Sequence, residues 1–212
     1  MHPAFRALIP KRFHPAMRRL LGLGGVQWLR VVMNAEIEKF VRSLDCAKID
    51  ALEISGTASQ ERYPFRSYRA VHYPEYDVCE KPLAAEQFDL VIAEQVFEHI
   101  LRPDLAAKNI HAMLRPGGYF VVNTPFLVKI HEFPVDMYRW TEPGLRQLLE
   151  VAGFNVLGTG SWGNRKCVLA NMNPGPTWKS YNRYFHSLRN EPQFALVVWA
   201  FAQKAAVARR HG

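Results

Sequence analysis

Between Asn34 and Asp45, apolar residues fall at Ile37, Phe40, Val41 and Leu44. That i, i+3, i+4, i+7 spacing predicts one buried face of a helix. The next apolar run, "IDALEISGT" from Ile49, is short and ends in Ser55-Gly56-Thr57, as a buried strand entering a tight turn would. "YRAVHY" (68–73) predicts a second strand, stopped at Pro74. "FDLVIA" (88–93) is apolar on both faces, the pattern of a central parallel strand covered by helices. Asp104 is placed to cap a helix through Leu114, with Leu105, Ile110 and Met113 among its apolar positions and "RPGG" (115–118) as its stop. "YFVVNT" (119–124) predicts another buried strand. Thr141 reads as a helix N-cap, with Pro143 in the first turn and Gly153 as the terminator. "FNVLGTG" and "FALVVWAFAQ" then close the chain as strands. Strand and helix alternate throughout, which predicts an α/β fold with a doubly wound parallel sheet. Such sheets bind ligands at the carboxyl ends of their strands, so chemistry is expected just after residues 54, 73, 93 and 124.

Composition narrows the class. A chain of 212 residues with 49% apolar and 22% charged residues is ordinary for one globular domain, which excludes general disorder. Cys46, Cys79 and Cys167 are odd in number, widely spaced and without a CxxC, which argues against a disulfide framework or structural zinc and for a cytoplasmic protein. No apolar run approaches the ~20 residues needed to span a bilayer. The net charge of +8 is uneven: +6 over residues 1–35, −5 over 36–160 and +7 over 161–212. Residues 1–33, broken by Pro3, Pro10 and Pro15, read as a basic amphipathic arm ahead of a single domain over 34–212. Basic flanks can meet nucleic acid, but they serve more often as solvated surface.

At the first strand end, Glu53 is followed by Ser55, Gly56 and Thr57, small residues that let backbone approach a ligand. The turn lacks the glycine spacing of a dinucleotide fingerprint and the Lys of a P-loop, which disfavours NAD and ATP. Taken with "YDVCEKPLAAEQFDLVIAEQVFEHI", "MLRPGGYFVVNTPF" and "LRQLLEVAGFNV" in that order, "LEISGT" is more specific. Together these segments resemble the class I S-adenosylmethionine (SAM)-dependent methyltransferases, and the type 11 methyltransferase family in particular, over roughly residues 34–160. The resemblance implies a Rossmann-like doubly wound sheet of seven strands and SAM as cofactor. It places Glu53, Ser55, Gly56 and Thr57 at the methionine part and ribose. Asp77, twelve residues before Asp89, falls at the adenine amine with Val78 beside it, and Glu94 and Gln95 lie beside the sulfonium. His72 stands where the family has a ribose-gripping acid, and the glycine-poor "SGTAS" replaces the usual GxGxG. Asp77 follows His72 by only five positions, so one helix of the common core is expected to be missing or reduced to a loop.

After the fifth strand of the family order, "TPFLVKIHEFPVDMYRWTEPGL" and "SWGNRK" depart from the family pattern. His131, Glu132, Asp136, Arg139 and Trp140 fall where a methyl acceptor must sit. Removing a hydroxyl proton suits a neutral His, so His131 is the first choice for the base and His99 the second. Glu132 and Asp136 could orient the base or bind a hard cation such as Mg²⁺. Trp140 and Trp162 offer flat faces of the kind that stack on sugars. The resemblance extends to sugar O-methyltransferases of the type thought to act on mycobacterial methylmannose polysaccharide, with a carbohydrate or other small hydroxyl acceptor. It is compatible with a homo-oligomer. An RNA or protein methyltransferase using the basic flanks is a second reading, weakened by the absence of a separate RNA-binding module and of an "NPPY"-type motif. A non-catalytic binding protein on the same fold is a third.

Overall fold

The structure, a computed structural model, describes residues 25–132, 135–173 and 178–206. The basic arm expected over residues 1–33 lies mostly outside them. Its described end, including Trp28, Leu29 and Met33, is buried in the core. A 3₁₀ turn, Trp28–Arg30, leads into helix α1 (Val31–Ser43), which buries Met33, Ile37 and Val41. Strand β1 (Asp50–Ile54) follows, then the short helix α2 (Ala58–Arg62) and β2 (Ser67–Val71). After β3 (Phe88–Glu94) come a 3₁₀ turn, Phe97–His99, helix α3 (Pro103–Met113) and β4 (Leu114–Pro125). Helix α4 (Glu142–Val151), β5 (Asn155–Trp162), α5 (Arg165–Asn171) and β6 (Val197–Gln203) complete the described chain.

The six strands form one sheet in the order β2-β1-β3-β4-β6-β5. The first four are parallel, while β6 runs antiparallel to both β4 and β5. Both faces are covered. Leu90 and Ile92 of β3 pack with α1, Trp162 and Trp199, whereas Val91 and Ala93 pack with Ile110, Leu145 and Leu149. This is the Rossmann-like α/β fold, with six strands among the described residues instead of seven. The physical reason lies between Val71 and Phe88, where the chain runs through successive turns and forms neither another strand nor another helix. The all-parallel expectation also gives way at β6, which enters the sheet beside β4 in the reverse direction.

Two helix ends differ from the sequence reading. Arg102 occupies the N-cap of α3, and Asp104 pairs with the Arg102 guanidinium at 2.8 Å instead of capping the helix. The helix stops at Met113, and "RPGG" is already part of β4, where Gly117 takes φ +82°. Thr141 does cap α4, accepting from Gly144 N–H, and Gly153 (φ +99°) lies just past its end. Among the described residues, no helix is long and apolar enough to cross a membrane.

The amino ends of β1 and β3 are tied by charge. Asp50 lies 2.5 Å from Arg66 and 3.0 Å from Arg115, and Arg115 also reaches Asp89 at 2.7 Å. The Arg66 guanidinium, and after it the Ser67 hydroxyl, hold the Asp50 carboxyl far below the usual carboxylate range. Asp50→Asn should therefore cost about 1 kcal/mol in urea unfolding at pH 7, because Arg66 is half exposed and solvent screens its share. The sign follows from a depressed folded-state pKa. The contribution is whole above the unfolded value of about 3.9 and fades as pH falls below it, so wild type and variant should converge in acid.

Candidate active site

The sheet changes direction of winding between β1 and β3, where strand order runs to β2 on one side and β4 on the other. That switch point opens a crevice at the carboxyl ends. Both strands end there in left-handed backbone on residues with a Cβ: Ser55 at φ +58° and Gln95 at φ +56°. Such conformations are uncommon outside glycine and cluster where a chain must turn sharply at a site. Ser55 N–H is held by Val71 C=O at 2.8 Å, and Gln95 N–H by Asn123 C=O at 3.0 Å. The Gln95 side chain also donates to Asn123 Oδ1 at 2.8 Å.

Of the expected cofactor residues, the turn after β1 is built around Glu53. This carboxylate is 2% exposed, and its Oε2 accepts from Ser59 N–H at 2.9 Å and from the Tyr68 hydroxyl at 2.7 Å. Gly56 presses on the same group: a Cβ there would stand 2.2 Å from Glu53 Oε1. Thr57 and His72 are exposed at the rim. Asp77 is half-buried, its Oδ1 accepting from Cys79 N–H at 2.8 Å, and Val78 beside it is buried. Glu94 lies 3.5 Å from Arg62; burial raises its pKa, and Arg62 works against that. A glycine without space for a side chain, a buried acid and the open switch point are features that the SAM cofactor implied by the resemblance would need at this end of the sheet.

The second part of the site is a cavity of about 190 Å³ that adjoins this crevice at Gln95 and is lined by Arg30, Glu98, His99, His131 and Trp178 among others. The segment after β4 folds back so that Met137 and Tyr138 N–H both donate to Glu98 C=O, at 2.8 and 3.2 Å. This brings His131 beside the 3₁₀ turn that carries His99, with ring centroids 5.2 Å apart. His131 Nε2 lies 3.8 Å from Glu98 Oε1 and His131 Nδ1 lies 3.2 Å from Asp136 Oδ2. Asp136 in turn accepts from Arg139, 2.6 Å from Nη2, and from His131 N–H at 2.8 Å. Burial alone would push Asp136 up, but Arg139 and the His131 N–H hold it below its ordinary value. His131 is shifted up, first by Glu98 and then by Asp136, against the opposing effect of its own burial. Arg30 is shifted down by burial, which Glu94 and Glu98 counter.

Several expected acceptor residues sit elsewhere. Trp162 is 1% exposed in the core, its indole N–H on Leu188 C=O at 2.9 Å, so it offers no free face. Trp140 stacks on Tyr138 at 5.3 Å and packs against the core beneath. The indole that lines the cavity is Trp178, edge-on to His131 at 5.5 Å. Glu132 is exposed, and Asp136 is engaged by Arg139. Neither belongs to the group of metal-ligand side chains found among the described residues, which is Glu98, His99 and His131. Two imidazoles and one carboxylate do not fit magnesium, which prefers an all-oxygen shell. From the sequence, Glu98-His99 reads equally well as a helix start with a capping acid or as part of the site, so Glu98 is not among the expected site residues; the signal for it is its place next to His99 just beyond a strand end.

Comparison with known proteins agrees with this geometry. The methyltransferase-domain family Methyltransf_11 matches residues 30–122. A protein of Mycolicibacterium smegmatis named a probable S-adenosylmethionine-dependent methyltransferase is 33% identical over 98 residues, which is 41% of this chain and 38% of that protein. The matched stretch thus spans well under half of that relative. An S-adenosylmethionine-dependent methyltransferase from Mesorhizobium loti superposes with TM-score 0.50 at 13% identity, over 80% of this chain and 98% of that one. The [4+2]-cyclase SpnF superposes with TM-score 0.52 at 14% identity, over 81% of this chain and 80% of that one. At such identities the superpositions speak for the fold. Residues 30–122 are thus similar to a methyltransferase domain, and the chain shares the Rossmann-like fold of the solved structures it superposes on.

Proposed function

We propose that the chain is a SAM-dependent O-methyltransferase acting on a hydroxyl of a small molecule, a carbohydrate being the leading class. The observation that carries this is His131, lying between the Asp136 and Glu98 carboxylates in a cavity that opens beside Gln95. Glu53, Gly56, Asp77 and Glu94 would hold the cofactor, which supplies an activated methyl group when bound. The cavity seats the acceptor oxygen. His131 Nε2 would take the hydroxyl proton as the acceptor oxygen receives the methyl group that SAM supplies when bound. Asp136, with Nδ1 turned toward it, stabilises the imidazolium that results, and Arg139 keeps Asp136 ionised. Trp178 supplies the apolar wall for a sugar ring. The test is product mass: the full chain with SAM and a panel of sugars, phenols and RNA. A gain of one methyl group on a sugar or other small hydroxyl supports the reading. Methylated RNA alone, or no product despite SAM binding, overturns it.

Asp77 gives a separate check on the cofactor half. Asp77→Ala should weaken SAM binding by roughly 10–150-fold, the loss of about 1.5–3 kcal/mol expected when a charge-assisted hydrogen bond to the adenine amine goes. Asp77→Asn keeps an acceptor for Cys79 N–H and so separates loss of the local turn from loss of the ligand contact. Calorimetric titration with SAM reads both. Unchanged affinity in the alanine variant would remove Asp77 from the site.

A further inference from the structure

The Glu98 carboxylate is fully buried, yet neither of its oxygens has a hydrogen-bond partner. An unpartnered buried carboxylate is costly, so such groups usually face a charge that compensates them. Two imidazole nitrogens converge on it, His99 Nε2 at 3.6 Å and His131 Nε2 at 3.8 Å from Oε1, both beyond hydrogen-bond reach. Three ligands at about 2.0–2.2 Å from one ion stand roughly 3.3–3.6 Å from one another in a tetrahedral site. The donor atoms of Glu98, His99 and His131 all lie within 4.8 Å of one another, so a closure of about 1 Å at the widest pair brings them to that spacing.

The far sides of both rings face oxygen, as those of metal-ligating histidines usually do. His99 Nδ1 contacts Val135 C=O, and His131 Nδ1 lies 3.2 Å from Asp136 Oδ2 without a hydrogen bond yet formed, Asp136 itself being fixed by Arg139. Outer partners of this kind turn Nε2 toward a metal and set its basicity. A fourth direction opens into the cavity, as in metal sites that keep a position for substrate.

We propose that Glu98, His99 and His131 bind one divalent transition cation, with Zn²⁺, Co²⁺ or Mn²⁺ preferred over Mg²⁺, and that its open position receives the acceptor hydroxyl. The binding claim stands on the donor geometry; the role in turnover rests on the cavity being the acceptor's seat. Without the cation, His131 takes the hydroxyl proton itself. With the cation, His131 becomes a ligand, the hydroxyl oxygen coordinates the metal and is acidified by it, and the proton passes to water. Methyl transfer then proceeds faster than by the imidazole alone.

The test uses the full chain, stripped with a chelator and titrated with Co²⁺ by visible absorption and with Zn²⁺ by calorimetry. One saturable ion per chain is expected, with a Co²⁺ band typical of mixed nitrogen and oxygen ligands. Glu98→Gln and His99→Ala should weaken binding by more than ~100-fold, and Asp136→Asn by the roughly 10–100-fold that loss of an outer partner costs. His111→Ala, whose ring packs on Phe154, should change nothing. A thermal shift with SAM that survives in each variant shows that it is folded. Absence of saturable binding, or binding indifferent to Glu98→Gln, overturns the site. If the ion binds but chelation leaves turnover unchanged, the site stands and its role in catalysis falls. If the ion binds and neither SAM binding nor turnover is found, it is the methyltransferase reading that fails.

Discussion

Replacing His131 with alanine is expected to lower turnover by about 10²–10⁴-fold while SAM affinity stays near that of the wild type. The separation follows from position. His131 lines the cavity proposed for the acceptor, whereas the residues proposed to hold the cofactor are absent from that lining: Glu53 and Gly56 at the end of β1 and Asp77 after β2. A group that acts on the hydroxyl proton affects the transition state and leaves ground-state cofactor binding alone. Single-turnover rates and SAM calorimetry on the same variant check both halves. Turnover near the wild-type value would remove His131 from the chemistry, and loss of SAM binding would make it a structural residue.

The same imidazole sets a pH dependence. Glu98 and Asp136 raise its proton affinity, burial lowers it less, and Arg139 is spent on Asp136. His99 is the other titratable ring against it, at 5.2 Å. Only the unprotonated form accepts a proton, so in chelated enzyme the acid limb of turnover should lie above the ordinary histidine value of about 6.5 and activity should fall below it. Asp136→Asn removes one of the raising charges and should move that limb down. A limb that stays in place would mean that another group titrates.

Much of the sheet was legible because its period is strict. The i, i+3, i+4 pattern around Ile37 returned as α1, and the doubly apolar "FDLVIA" as β3, with Leu90 and Ile92 on one core and Val91 and Ala93 on the other. The runs in the sequence number six strands, and six form among the described residues. The seventh came from resemblance to a family and met a segment of turns between Val71 and Phe88. The reversal of β6 was not legible, since an apolar run carries no sign of its direction.

The site was half legible for a similar reason. Residues such as Ser55, Gly56 and Gln95 sit next to strand ends, where sequence position and spatial position coincide. The pairing of Glu98 with His131 depends on the chain after Pro125 folding back to place Met137 and Tyr138 N–H on Glu98 C=O, a contact across nearly forty residues. Periodicity does not encode such a return. Trp162 and Trp178 show the same limit: both are single tryptophans in polar surroundings in the sequence, and only packing makes one core and the other cavity wall.

On the cofactor side an effect comparable to that of Asp77→Ala is expected from Gly56→Val. A Cβ at this position would meet Glu53 Oε1 at 2.2 Å and Cδ at 3.1 Å. The end of a glutamate can ordinarily swing aside, but this one is 2% exposed and anchored through Oε2 to Ser59 N–H and the Tyr68 hydroxyl. Relief of the overlap must break those bonds or shift the turn after β1. Overpacking of this kind costs about 1–3 kcal/mol, which becomes roughly 5–150-fold in SAM affinity if the turn is the seat of the cofactor. Calorimetry with SAM reads that loss, and thermal unfolding without SAM reads the strain by itself. A variant that is destabilised yet binds SAM as tightly as the wild type would make the Gly56 turn structural and move the cofactor away from β1. A variant that loses SAM while its cavity still binds Co²⁺ would place the cofactor at β1 and show the two halves of the site to be independent.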